Sequence, residues 1–418
     1  MRWALRSVGP PAPPMLGGEA TLTLLSAIYS DSMNGLWPTS HLKMMEKKMQ
    51  ISIAMATFNG EAYIGDQLDS LANQTLLPKE LIVCDDGSVD RTLEIVEQWS
   101  KTAAPFPVHI YRNEKRLGFA DNFLQAASLC NGDLIAFCDQ DDVWLPEKLQ
   151  YCLALFIDEP DLMLLSHNTW VTDEKLSRIK LLSSRKTCIY ERGNFQPLAN
   201  PLMGFTQVFR KELAHDIPWN TRPRAEAYVQ SKTPGCLMPH DCWIAIVASS
   251  LGKVVVSDTV LACYRQHGKN AVGLGQKSRV KIQGIRNRLQ RITSIQVNNY
   301  HEFQGRYQEC ANSLESVSRQ VASVHAPRLL EAAETYRKIA VAFGAREALY
   351  EKNLSLWQKV QRLSKLAIQC TYRQPHGGGL GLKYFFKDLV YATMAETMLG
   401  LEHLPSQSPS FDAKNSRS

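Results

Sequence analysis

The chain has 418 residues, an apolar fraction of 44% and a formal net charge of +6. Those values allow one large catalytic domain with additions, or two to three domains, and they exclude collagen-like and disulfide-scaffold chains. The charge is uneven: residues 277–418 hold 21 Lys+Arg against 11 Asp+Glu, so an acidic front precedes a basic back.

Residues 1–48 show no steady period. They are interrupted by Pro10, Pro11, Pro13, Pro14, Gly17 and Gly18. They are expected to form a disordered extension, not a signal peptide. No run of 18 apolar residues occurs anywhere, so no membrane-spanning helix is expected. The ten cysteines form no C-x-x-C pair and no zinc-like cluster. They read as small buried apolar groups in a reducing compartment, which makes the cytoplasm the default location.

From Ile51 the pattern changes. Residues 51–56 read as a strand that ends in the turn Thr57-Phe58-Asn59-Gly60-Glu61. A helix follows, with Ile64, Leu68 and Leu71 on one face. Residues 81–84 form a second apolar strand, ending at Asp85-Asp86-Gly87-Ser88-Val89-Asp90. Asp90 is expected to cap the next helix, and Asp85 and Asp86 are the better ligand candidates. A strand at 108–111, a helix at 120–130 and a strand at 134–138 complete a β-α-β-α-β-α-β order. That order predicts a parallel sheet covered by helices, an α/β fold. Such sheets bind ligands at the carboxyl ends of their strands. The polar clusters at 57–61, 85–90 and 139–142 should therefore converge.

Asp139-Gln140-Asp141-Asp142 places three carboxylates within four residues. Hard divalent cations take oxygen ligands and bridge phosphates, so the cluster suits Mg²⁺ or Mn²⁺ on a diphosphate. Taken alone, the acidic start of a helix entering at Trp144-Leu145-Pro146 is the more economical reading. Pro239-His240-Asp241-Cys242-Trp243 leads into an apolar helix. Asp241 is either a general base or the cap of that helix. Strands at 253–256 and 261–264 lead to Arg265, His267, Lys269 and Asn270, where a His can ligate a metal and basic groups can neutralise phosphate. Beyond residue 279 the chain is basic and helical in pattern, with Lys359, Arg362 and Lys365 at helical spacing. Residues 384–394 have an interfacial-helix pattern.

The segments 54–60, 84–90 and 139–146 resemble family 2 glycosyltransferases of the GT-A fold. His240-Asp241-Cys242-Trp243 and Tyr264-Arg265-Gln266-His267-Gly268 resemble its rhamnosyltransferase-like branch. The resemblance spans about residues 49–275. It implies that Thr57, Glu61 and Asp85, with Asp86 beside them, line the nucleoside pocket. It further implies that Asp139 faces the ribose, Asp141 and His267 serve the metal, and Asp241 is the base. Arg116, Gly118, Gly204 and Arg265 are implied as further contacts to the nucleotide, donor sugar or diphosphate. Cys242 departs from the branch, which usually has an aromatic there.

The implied reaction is an inverting single displacement. It moves a sugar from a nucleotide-diphosphate donor, dTDP-rhamnose in the branch, to a glycan acceptor that is lipid-linked. No nucleic-acid partner is expected. The expected organisation is an extension (1–48), a GT-A catalytic domain (49–278), a helical basic region (279–400) that contacts an anionic membrane peripherally, and a disordered tail (401–418). A sugar-nucleotide nucleotidyltransferase is the competing enzyme class, but the turn at 57–61 lacks its Gly-rich, basic phosphate loop. A non-catalytic sugar-nucleotide-binding protein is the competing binding class. It would be expected to lack Asp141 or Asp241.

Overall fold

The computed structural model describes residues 49–224, 237–268, 270, 297–350, 354–368, 385, 386, 388 and 389. The expected extension 1–48, the run containing Arg286, Arg288 and Arg291, Lys269, most of 384–394 and the tail after 400 lie outside them.

The front of the chain alternates as β1 (Ile51–Thr57), α1 (Ile64–Ala72), β2 (Glu80–Asp85), α2 (Thr92–Thr102), β3 (Val108–Arg112), α3 (Phe119–Leu129) and β4 (Leu134–Asp139). Strand β1 pairs in parallel with β2 and β4, and β2 pairs in parallel with β3. β2 is buried throughout, and only Ala56 of β1 is partly exposed. This explains their continuous apolar runs: a parallel strand is covered on both faces and has no solvent side to alternate toward. On α1 the apolar residues Ile64, Leu68 and Leu71 are buried, as the helical spacing requires.

The second half contains β5 (Val143–Trp144), α4 (Lys148–Asp158), β6 (Leu162–Thr172), β7 (Arg178–Leu181), β8 (Cys188–Tyr190), β9 (Gln207–Arg210), a short α5 (Glu212–His215), α6 (His240–Leu251) and β10 (Lys253–Arg265). The sheet runs β3-β2-β1-β4-β9-β6-β10-β5, with β7 on β6 and β8 on β10. It is mixed beyond β4, because β9 lies antiparallel between β4 and β6. The two expected strands at 253–256 and 261–264 are one strand. Its pairing with β6 slips between Val256 and Val260, where the polar Ser257-Asp258-Thr259 is accommodated as an irregularity.

Helix α6 is buried along its whole length except at Asp241. A helix apolar on all sides needs cover on all sides. It receives it from α3, β6 and α8 (Ala326–Glu347), which pairs with α7 (Val297–Ser318). Trp243, Ile246 and Val247 thus share one hydrophobic core with Tyr307, Leu314, Tyr336 and Phe343. The helical region is therefore continuous with the sheet-bearing half through its packing. Helix α9 (Leu356–Ile368) follows, with Lys359 and Leu363 buried and Trp357 and Ile368 exposed.

Candidate active site

Three strand ends meet as the alternating pattern requires. In the sheet register Thr57 lies opposite Asp85, and Ala56 opposite Asp139. A cavity of about 620 Å³ opens there. Its wall includes Thr57, Asp86, Arg116, Gly118, Asp139, Asp141, Gly204 and Asp241. Eight of the expected contacts, from six separate segments of the chain, therefore share one space.

Glu61, Asp85, Arg265 and His267 do not line that cavity. Asp85 is fully buried. Its Oδ1 accepts from Thr57 Oγ1 at 3.0 Å, and its Oδ2 accepts from the Gly87 and Ser88 amides at 3.1 and 2.8 Å. It organises the turn after β2. Glu61 accepts from the Arg91 amide at 3.0 Å while donating its own amide to Asp90 at 3.1 Å. Asp90 also accepts from the Thr92 amide at 3.0 Å, but the cap position of α2 is Arg91, so the expected cap is instead a turn bond one residue before the helix. The Arg265 guanidinium reaches Asp66 at 2.7 Å and the backbone oxygens of Asp141 and Glu174 at 3.0 and 3.1 Å. It clamps the acidic segment from behind.

Asp86 faces the opposite wall. Its carboxylate accepts from the Leu117 and Gly118 amides at 2.6 and 2.8 Å and from Asn113 at 3.1 Å, and so shapes the loop that carries Arg116. Gly118 has φ 84°, a conformation that side chains disfavour, which aims its amide at Asp86. The Arg116 guanidinium lies 3.9 Å over the Phe58 ring at the cavity edge. Gln140 was given no role from the sequence. Its side-chain amide bonds both Phe58 N (2.9 Å) and Phe58 O (3.0 Å), fixing the β1 turn against the acidic segment.

The acidic cluster is not a helix start. Helix α4 begins only at Lys148, has no acid in its first turn, and is separated from the cluster by β5, which pairs with β10. Carboxylate oxygens of Asp139, Asp141 and Asp142 lie within 4.8 Å of one another. Burial and the neighbouring carboxylates push both Asp139 and Asp142 well above the usual carboxylate range. Asp142 Oδ2 is buried without a hydrogen-bond partner, while Oδ1 accepts from the Arg265 amide at 3.0 Å. His267 Nε2 is 2.9 Å from Asp141 Oδ2, and the His267 ring stacks on Tyr63 at 4.3 Å. Crowded carboxylates, an orphaned oxygen and an adjacent imidazole are the donor set a hard or borderline divalent cation takes.

Asp241 sits in the first turn of α6, whose cap position is Pro239, so it is not the cap. Its carboxylate accepts from the Cys242 amide at 2.8 Å. Burial pushes it up to about 6, against the pull of amides that include those of Cys242 and Gly204. Gly204 begins the 3-10 turn Gly204–Thr206, and a Cβ there would stand 2.8 Å from His240 Nε2. The close approach of that turn to α6 requires the glycine.

Residues 52–217 match the model of the family described as Glycosyl transferase family 2. The sheet is mixed and covered by helices, and the cavity lies at its strand ends. A glycosyltransferase of Nostoc sp. is 28% identical over 237 residues, covering 53% of this chain and 66% of that protein. The dTDP-rhamnosyl transferase RfbG of Shigella flexneri is 36% identical over 107 residues, covering 25% of this chain and 37% of that one. The UDP-Glc:alpha-D-GlcNAc-diphosphoundecaprenol beta-1,3-glucosyltransferase WfgD of Escherichia coli is 33% identical over 107 residues, covering 26% and 41%. The chain thus spans between about a third and two thirds of the length of the relatives it matches. No helix among the described residues is long and apolar enough to cross a membrane.

Proposed function

We propose that the protein is an inverting, divalent-metal-dependent glycosyltransferase. It takes a sugar from a nucleotide-diphosphate donor and attaches it to a hydroxyl of a glycan. The observation that carries this reading is one cavity faced by both the acidic cluster and the isolated carboxylate of Asp241.

Thr57 and the loop of Arg116 and Gly118 receive the nucleoside. Asp139, Asp141 and Asp142, with His267 beside them, hold Mg²⁺ or Mn²⁺. Such a cation, when bound, neutralises a departing diphosphate. Asp241 takes the proton of the acceptor hydroxyl. A carboxylate raised to about 6 is ionised at neutral pH yet more basic than an ordinary one, which suits that task. Gly204 leaves room for the sugar next to Asp241. With acid and base contributions separated in this way, no covalent intermediate is required.

Rhamnose carried on dTDP is the proposed donor, supported by the His240-Asp241 and Arg265-Gln266-His267 segments and by the likeness to RfbG. A lipid-linked cell-surface glycan, such as an O-antigen, is the proposed acceptor. It is supported by the likeness to WfgD and by the basic surplus of residues 277–418, which suits peripheral contact with an anionic membrane on its cytoplasmic face. The test is calorimetry of dTDP, UDP and GDP with and without Mn²⁺. Cation-enhanced binding of one of them is expected, and enhancement for none would overturn the reading.

A further inference from the structure

Strands β6 and β7 form a hairpin closed by the turn at 173–177. Asp173 Oδ1 accepts from the Lys175 and Ser177 amides at 3.0 and 2.8 Å, which fixes that turn. Among the described residues β7 pairs with β6 alone, so its outer edge is open. The pairing slips between Val171 and Thr172, which leaves Ile179 as an extra residue on β7. Arg178, Ile179, Lys180 and Leu181 are all exposed, Ile179 to 61%. No residue of β7 belongs to the buried core.

Residues 173–187 hold five basic side chains, Lys175, Arg178, Lys180, Arg185 and Lys186, against two acidic ones. All five are exposed. Both acids are engaged, Asp173 within the turn and Glu174 by the Tyr63 hydroxyl. Of the five cations, only Lys186 has an ion-pair partner among the described residues, Asp258 at 3.6 Å. Lysine on an open edge guards against strand addition. That accounts for Lys180, but not for an isoleucine displaced into water or for cations continuing beyond the strand. An apolar side chain framed by cations fits a surface that presents negative charge with hydrocarbon beneath it.

The turn is also tied to the candidate active site. The Glu174 backbone oxygen accepts from the Arg265 guanidinium at 3.1 Å, and the same group donates to the Asp141 backbone oxygen at 3.0 Å. The Tyr63 hydroxyl donates to the Glu174 carboxylate, while the Tyr63 ring stacks on His267, whose Nε2 is 2.9 Å from Asp141 Oδ2.

We infer that the β6–β7 hairpin is a docking surface for an anionic lipid bilayer: Ile179 enters the headgroup layer, and Lys175, Arg178, Lys180 and Arg185 meet lipid phosphates. This contact belongs to the sheet-bearing half and is separate from the basic helical region. A second copy of the chain is a poor occupant of the edge, because it would set like charges against each other and pair across the slip. A nucleic acid is a poor one too, because residues 173–187 include no aromatic ring on which a base could stack. Docking here holds the acidic segment at the bilayer, where a lipid-linked acceptor presents its glycan. That purpose rests on the proposed function; the docking itself does not.

The test is co-sedimentation of the full chain with vesicles of phosphatidylcholine, alone or mixed with phosphatidylglycerol. The unaltered protein should bind the anionic vesicles, not the neutral ones, and release them in high salt. A basic side chain near such a surface is worth about a fivefold gain in binding, so Lys175→Gln/Arg178→Gln/Lys180→Gln should bind about 10²-fold more weakly. Ile179→Ser should bind several-fold more weakly. Both should melt with the unaltered protein, because the altered side chains are exposed. Lys101→Gln/Lys211→Gln, exposed elsewhere, should bind nearly as the unaltered protein does. Undiminished binding by the triple variant or by I179S, no preference for anionic vesicles, an equal loss in the Lys101/Lys211 control, or tighter retention on a single-stranded oligonucleotide than on vesicles would each overturn the inference. Sedimentation reads docking and not turnover, so a failure of cation-enhanced nucleotide binding sinks the proposed function and leaves this result standing.

Discussion

Two of the places where charge is buried hold it in opposite ways. In the helical region Arg346 and Asp388 are both fully buried and closed on each other, with Nε and one terminal nitrogen each 2.6 Å from a carboxylate oxygen. Tyr300 adds a hydroxyl 3.0 Å from the guanidinium. In the sheet-bearing half, three carboxylates crowd within 4.8 Å and Asp142 Oδ2 has no hydrogen-bond partner. The buried Lys148 ammonium is directed at the Phe205 carbonyl. A matched buried pair gives a definite structure, whereas an unmatched cluster raises the energy of the fold and is retained where a ligand completes it. The comparison separates a pair that holds helices together from a cluster that the proposed function assigns to a ligand.

The largest expected effect lies on the catalytic side. Asp241→Asn removes the base without changing the shape of the site. Turnover should fall by about 10³-fold, within the usual range for general-base loss, while calorimetric donor binding is retained. Preserved turnover would reject the assignment. Because burial holds Asp241 up, its ionised form destabilises the fold at neutral pH, so D241N should melt at or above the unaltered protein.

Breaking the matched pair should act on stability alone. Asp388→Ala strands a buried guanidinium and should cost about 3–5 kcal/mol in urea unfolding. Replacing both Arg346 and Asp388 by apolar residues should cost much less. A small effect of D388A would show that the pair is not closed as described.

The next effect is the pH dependence of turnover. The raised carboxyl of Asp241 is active only when ionised. The rate should therefore be level above about 6 and fall about tenfold for each further unit of acid below it. Acid loss that begins only near the ordinary carboxylate range would exclude Asp241 as the titrating base.

The smallest expected effect concerns the outer surface of the helical region. Trp357 and Phe386 are 68% and 60% exposed. If this face meets an anionic membrane, Trp357→Ala should reduce co-sedimentation with phosphatidylglycerol vesicles several-fold and leave the melting temperature unchanged. Equal sedimentation would remove the face from the membrane proposal. Truncation near residue 280 is unsuitable for this purpose, because α7 and α8 complete the core around α6.

The sequence showed the parallel strands clearly, because burial on both faces leaves continuous apolar runs at 51–56, 81–84 and 134–138. It also showed which polar clusters would meet, since strand direction sends their carboxyl ends to one edge. The mixed half was less legible. Strands β6 and β9 pair across 40 residues, and buried polar groups such as His167, Asn168 and Thr169 interrupt the apolar pattern that would mark β6. Lys148 was invisible for another reason. A lysine in Pro146-Glu147-Lys148-Leu149 has the local sequence of a solvated helix start, and only the packing of Trp144 and Phe205 encloses it. The choice between helix start and ligand cluster for Asp139–Asp142 depended on the two residues of β5, too short a strand to read from composition.

The bonds from Gln140 to both sides of Phe58 have a thermodynamic consequence. They rivet the turn next to Arg116 to the residue between Asp139 and Asp141, so neither half of the site can shift without the other. Whatever orders the acidic segment also orders the turn that the proposed function gives to the nucleoside, and the help is mutual by equal factors. Cation and nucleotide are then expected to recruit each other, so that either one alone is held loosely and the two together are held as one substrate.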